Sequence, residues 1–147
     1  ELVTLLNQNP HVTIELRAHC DYKGSAEYNK RLSQRRAESV VNYLVEHGIE
    51  AERLTPVGYG KDRPKKVRAK LAKKYSWLKE GDELTEDFIK AIDNEERQEI
   101  CNSINRRTEF TVLRTTYGMF DENGKLKIQP KPANKEQQDT DEDYEFY

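Results

Sequence analysis

At 147 residues, with 35% hydrophobic and 35% charged side chains, the chain supports one ordinary domain with a compact core, a heavily solvated surface and room for a short appendage. A net charge of −2 excludes a basic nucleic-acid binder as the overall class, although nine Lys/Arg against two Asp/Glu crowd residues 61–80 and six acids against one lysine crowd residues 134–147. No apolar run reaches the length of a membrane span, and nothing at the start reads as a signal peptide.

Residues 1–8 carry Leu2, Leu5 and Leu6 at helical spacing and are expected to be the last turns of a helix closed by Asn9-Pro10. The chain opens inside that pattern, as an excised fragment would. The run HVTIELRAHCD alternates, with Val12, Ile14 and Leu16 on one face and Thr13, Glu15 and Arg17 on the other, which predicts a half-buried strand. AEYNKRLSQRRAESVVNYLVEHG then reads as one amphipathic helix with Ser25 as N-cap and Gly48 as stop signal. A second strand is predicted in RLTPVGYGKDRP, closed by glycine and proline.

Residues 65–104 read as helices, one marked by Val67, Leu71, Tyr75 and Leu78 and another by Leu84, Phe88 and Ile92, separated at Gly81-Asp82, with Thr85 as a helix start. The lysines there read as a solvated helix face, or more sharply as a docking surface for an acidic partner or the anionic wall; Tyr75 and Trp77 pack inward. RRTEFTVLRTTYGMF predicts a third strand with Thr108, Phe110 and Val112 on one face. Asn123-Gly124 marks a short hairpin within residues 115–130, and residues 131–147 form an acidic tail expected to be disordered. These elements describe an α+β fold, a two-layer sandwich with helices on one face of a small mixed sheet and the other face partly solvated. Three strands make a thin sheet, so a further strand is expected before Glu1.

Arg36 falls in the row of Leu32, Val40 and Leu44, and Asn29 lies seven residues before it, so the helix is expected to turn a guanidinium toward the edge of the core. Such a group needs a partner, and the nearest in sequence is Asp21. A carboxylate and a guanidinium at one edge suit a ligand that carries both an ammonium and a carboxylate. The plainer alternatives are that Asp21 bonds its own backbone amides in a turn, or that Arg36 pairs with Asp21 directly. Arg106 shares parity with Thr108 and Phe110, which favours it over Arg107 for the same pocket, while Asn105 either supports the pocket or fixes the loop before the strand. Cys20 and Cys101 can pair in an oxidising compartment or serve as small buried hydrophobes in a reducing one. His19, Cys20 and Asp21 are consecutive and point to alternate faces, no other His or Cys stands at ligand spacing, and so neither a metal, a cofactor nor catalysis is expected.

Three stretches carry a family resemblance: AHCDYKGSAEYNKRLSQRRAESVVNYLVEHGI, RLTPVGYGKDRP and NRRTEF. The pattern is met by His19, Asp21, Gly24, Tyr28, Asn29, Leu32, Ser33, Arg35, Arg36, Ala37 and Val40, then Gly58, Gly60 and Pro64, then Asn105, Arg106, Arg107 and Glu109. Over residues 1–114 the chain resembles the OmpA-like peptidoglycan-binding domain, also found in peptidoglycan-associated lipoproteins and flagellar stator proteins. The resemblance implies a βαβαβ-type fold lacking its first strand and most of its first helix, with a helical insertion over residues 65–103. It further implies a non-enzymatic, non-covalent anchor to the cell wall. Asp21 would meet the ammonium and Arg36 the carboxylate of the stem peptide's diaminopimelate, with Asn29 and Arg106 lining the pocket and Cys20, Gly24, Leu32 and Asn105 in support. Implied partners are peptidoglycan and other envelope or secretion-system proteins, in the periplasm at the outer membrane, as part of a larger protein. The long insertion is similar to the Bacteroidetes branch, which includes a type IX secretion system component. The rival expectation is a protein–protein scaffold that uses the inserted helices.

Overall fold

The computed structural model describes residues 1–120 and 123–125. Helix α1 (Leu2–Gln8) leads into strand β1 (Thr13–His19), helix α2 (Ala26–Glu46), strand β2 (Leu54–Gly60), three short helices α3 (Ala69–Lys74), α4 (Glu86–Lys90) and α5 (Glu95–Asn105), and strand β3 (Thr108–Arg114). The sheet order is β2-β1-β3, with β1 parallel to β2 and antiparallel to β3. A parallel pair needs a crossover, and α2 supplies it. The fold is α+β with a small mixed sheet, as the alternation and helical periods predict.

The main core joins Leu2 and Leu6 of α1, Ile14 and Leu16 of β1, Leu44 of α2, Ile49, Leu54 and Phe110. Arg53, 4% exposed, closes its lower edge: the guanidinium donates to the carbonyls of Leu6, Asn9 and Val12 at 2.8–2.9 Å, satisfying the end of α1.

Helix α2 begins where expected, with Ser25 Oγ accepting from the Tyr28 amide at 3.1 Å, and ends ahead of Gly48 at φ +93°. Its inward row, however, is only in part the one its leucines and valines mark. Asn29, Ser33, Ala37 and Leu44 are buried, Leu32 and Val40 are half-buried shoulders, and Arg36 is exposed. The reason lies across the interface. A Cβ on Gly58 would stand 2.2 Å from the Gln34 amide nitrogen, so the helix rides directly on the glycines of β2. Small and polar side chains fit that gap and bond the strand: Ser33 Oγ accepts from the Gly60 amide and Gln34 Oε1 from the Gly58 amide, both at 2.8 Å.

Residues 65–104 differ from the expected pair of helices. Residues 65–68 and 82–84 run side by side instead, with Val67 N donating to Asp82 O and Leu84 N to Lys65 O, and a bridge at Lys66 and Glu83. Leu78 therefore sits in a bend and Leu84 in the extended stretch, and α5 is an additional helix, capped by Asn94 on the Arg97 amide. Val67, Leu78, Leu84, Ile89 and Cys101 make a second core, against which Tyr22, Tyr75 and Trp77 pack. Cys20 and Cys101 are both buried and free; burial pushes the Cys101 thiol up to about 11. The hairpin expected around Asn123-Gly124 and the acidic tail fall mostly or wholly outside the described residues.

Candidate functional site

The loop from Cys20 to Ser25 joins β1 to α2, and nearly every residue in it is tied down. β1 is held at its exit from both sides, by His19 N donating to Arg107 O and Cys20 N to Gly60 O, each at 2.8 Å. Gly24, at φ +92°, lets the chain turn back toward the helix, so that Asn29 Nδ2 reaches Lys23 O at 2.8 Å from a position only 3% exposed. Lys61 Nζ donates to the carbonyls of Gly24 and Tyr22 at 2.9 and 3.4 Å. Tyr22 is anchored in the second core.

Asp21 stands at the centre. Its Oδ1 accepts from the Lys23 amide at 3.0 Å, the turn contact anticipated for it, while Oδ2 lies 2.6 Å from Arg106 Nη1. Its cationic neighbour is therefore Arg106 and not Arg36. Arg106 Nη2 also reaches Glu99 Oε1 at 2.6 Å, and Glu99 Oε2 lies 3.7 Å from Lys23 Nζ. The hydrogen bond and charge of Arg106 hold the Glu99 carboxyl below its ordinary value. Arg36, exposed on α2, makes no hydrogen bond or ion pair among the described residues. Its field is felt at Cys20: burial raises that thiol's pKa, Arg36 lowers it and Asp21 raises it, so both charges act on one buried atom. The Cys20 thiol donates to Asn29 O at 3.4 Å.

Two further expectations change. Strand parity does not place Arg106, because that residue caps α5 ahead of β3; it is the more exposed of the arginine pair, its side chain 34% accessible, and reaches Asp21 from the helix end. Asn105 is buried away from the loop's charges, with Oδ1 accepting from Lys65 N and Nδ2 donating to Leu84 O, both at 2.9 Å. It fixes the base of the 65–103 segment. Leu32 is a half-buried shoulder of α2.

The sheet face opposite α2 holds a charge cluster that the sequence reading did not identify. Glu109, 6% exposed, meets Arg107 Nε, with His19 Nε2 at 3.2 Å, Lys65 Nζ at 3.8 Å and Arg17 at 4.0 Å. Burial raises the Glu109 carboxyl, but His19, Arg107 and Lys65 outweigh it and hold the group far below the carboxylate range. Burial dominates at His19 and pulls the imidazole below its ordinary value, against the contact with Glu109. Among the described residues no His/Cys/Asp/Glu group is arranged to hold a metal, and no helix is long and apolar enough to cross a membrane. An open basin lined by Ala69, Lys70, Ala72, Lys73 and Glu80 lies on the 65–103 segment and involves none of the loop's charges.

Known proteins resemble part of the chain. Outer membrane porin F of Pseudomonas fluorescens is 43% identical over 63 residues, which are 43% of this chain and 19% of that protein. The peptidoglycan-associated lipoprotein of Mesorhizobium japonicum is 41% identical over 59 residues, 40% of this chain and 35% of that protein. The matched stretch thus spans well under half the length of either relative. Among solved structures, the peptidoglycan-associated lipoprotein from Burkholderia pseudomallei aligns with 45% of this chain and 56% of its own, at 30% identity and a TM-score of 0.42. A model of the OmpA family matches residues 1–76, a stretch that holds Asp21, Asn29 and Arg36 and stops short of Arg106. Taken over that half of its length, the chain belongs to the OmpA family.

Proposed function

We propose that this chain binds peptidoglycan without catalysing any reaction on it, and that it does so through the diaminopimelate of the stem peptide. The observation that carries the reading is the charge arrangement around the β1–α2 loop. A carboxylate, Asp21, is fixed at the loop's start, and a guanidinium, Arg36, stands exposed on the following helix with no protein partner among the described residues. An amino-acid head group presents an ammonium and a carboxylate, the complement of that pair. The planar fork of Arg36 suits bidentate carboxylate binding, which a lysine does not reproduce. Asn29, buried against Lys23 O, holds in shape the loop that carries Asp21. Family membership and the lipoprotein relatives support the same reading.

Each charged hydrogen bond contributes ~1.5–3 kcal/mol net, so single-site affinity is modest and a polymer's repeated ligands raise it. In the cell the chain would anchor a larger outer-membrane or secretion assembly to the wall from the periplasmic side. Sedimentation with purified sacculi tests this: the protein co-sediments, and the double change Asp21→Ala with Arg36→Ala leaves it in the supernatant. A scaffold that docks another envelope protein through the exposed basic residues Lys66, Lys70, Lys73 and Lys74 is the second reading. It predicts indifference to those two changes and sensitivity to charge reversal on α3.

A further inference from the structure

Resting on the reading above, we propose that Glu99 of α5 is a positioning residue for the zwitterionic ligand: it takes charge of Arg106 when the ligand's ammonium claims Asp21. Asp21 has two oxygens. One is committed to the Lys23 amide at 3.0 Å and the other to Arg106 at 2.6 Å. An incoming ammonium therefore competes with Arg106 for Oδ2. A guanidinium that lost its sole carboxylate would resist that exchange, but Arg106 has a second one: Glu99 Oε1, at 2.6 Å from Nη2. The arginine keeps a charge-assisted bond throughout the exchange. Glu99 Oε2 meanwhile draws Lys23 Nζ to 3.7 Å, keeping the loop's own ammonium from substituting for the ligand's at Asp21.

The segment between β2 and β3 is thereby part of the site. Beyond Lys61, it grips the loop twice more, through Glu99 on Lys23 with Arg106 on Asp21 and through Tyr22 in the second core. Neither grip belongs to residues 1–76 alone.

The test is a double-mutant cycle on the full chain, titrating a diaminopimelate-containing stem tripeptide by calorimetry. Glu99→Gln weakens binding about fivefold in the wild-type background, the scale of a well-formed exposed ion pair. In the Arg106→Gln background the same change costs less than about twofold. Glu99 is exposed, so the melting temperature is unchanged. Wild-type binding with equal losses in both backgrounds, or with none from Glu99→Gln, overturns this inference and leaves the ligand reading standing. Absence of wild-type binding overturns both. Should Arg106→Gln alone abolish binding, the Arg106 Nε–Hε NMR signal decides. Protection from solvent exchange that persists with ligand in the wild type and is lost in Glu99→Gln supports the role; identical behaviour in the two proteins overturns it.

Discussion

Asp21 and Arg36 fail differently when changed. Asp21→Asn keeps the turn contact with the Lys23 amide but removes the negative charge, so the tripeptide binds about tenfold to a hundredfold more weakly in calorimetry while the fold stays intact. Arg36→Lys keeps the charge and loses the fork, and is expected to recover little of the affinity that Arg36→Ala removes. Glu109 answers to stability instead. Glu109→Gln strips the shared carboxylate from Arg107, Lys65 and His19, and removing one member of a buried ionic cluster costs ~3–5 kcal/mol in urea unfolding. The same cluster sets the acid response. His19 binds its proton less readily folded than unfolded, so stability is full above about pH 6.5 and declines below it. Glu109 releases its proton more readily folded than unfolded, so its contribution is complete above about pH 4.3 and is lost as the pH falls further. Melting temperature measured against pH should drop in two stages, and His19→Gln should erase the first.

At the scale of elements, the contact between α2 and β2 is the most demanding in the molecule. Gly58→Ala places a methyl 2.2 Å from a backbone nitrogen and 2.6 Å from the Cα of Gln34, and neither atom is free to move without shifting the helix. We expect a loss of more than about 3 kcal/mol in denaturant unfolding. Gly48→Ala, with nothing near but a φ of +93°, loses only about 1 kcal/mol. That contact also explains which parts of the fold were legible beforehand. Strand alternation, the Ser25 cap and the Gly48 stop are local signals, and they placed β1, α2, β2 and β3. The inward row of α2 is not a local property: Asn29, Ser33 and Ala37 face the core because β2 offers glycines there, and hydrophobicity alone pointed to Leu32 and Val40. For the same reason Glu99 escaped notice. It sits at an exposed position of α5 and acquires its role from residues 21, 23 and 106, which only the fold brings near.

At the scale of the whole molecule, two hydrophobic cores share one chain. The first lies between α1, α2 and the sheet, and the second within residues 67–104. Asn105 stands where the chain passes from α5 into β3, and pins that junction to Lys65 N and Leu84 O. Lys65 adds a tie through Glu109 on the sheet. The chain's single tryptophan, Trp77, packs against the second core, whereas most of α2 and the strands belong to the first. Trp77 fluorescence and far-ultraviolet circular dichroism therefore report on different cores, and their urea transitions should coincide in the wild type if the α5–β3 junction couples them. Asn105→Ala removes both hydrogen bonds while leaving each core's apolar contacts in place, at a cost of ~2–4 kcal/mol falling on the attachment rather than on either interior. The fluorescence midpoint should then move well below the dichroism midpoint. Coincident transitions in that variant would mean that Lys65–Glu109 and Tyr22 suffice to couple the two. The ligand loop, which packs Tyr22 on the second core, would then keep its geometry without the amide.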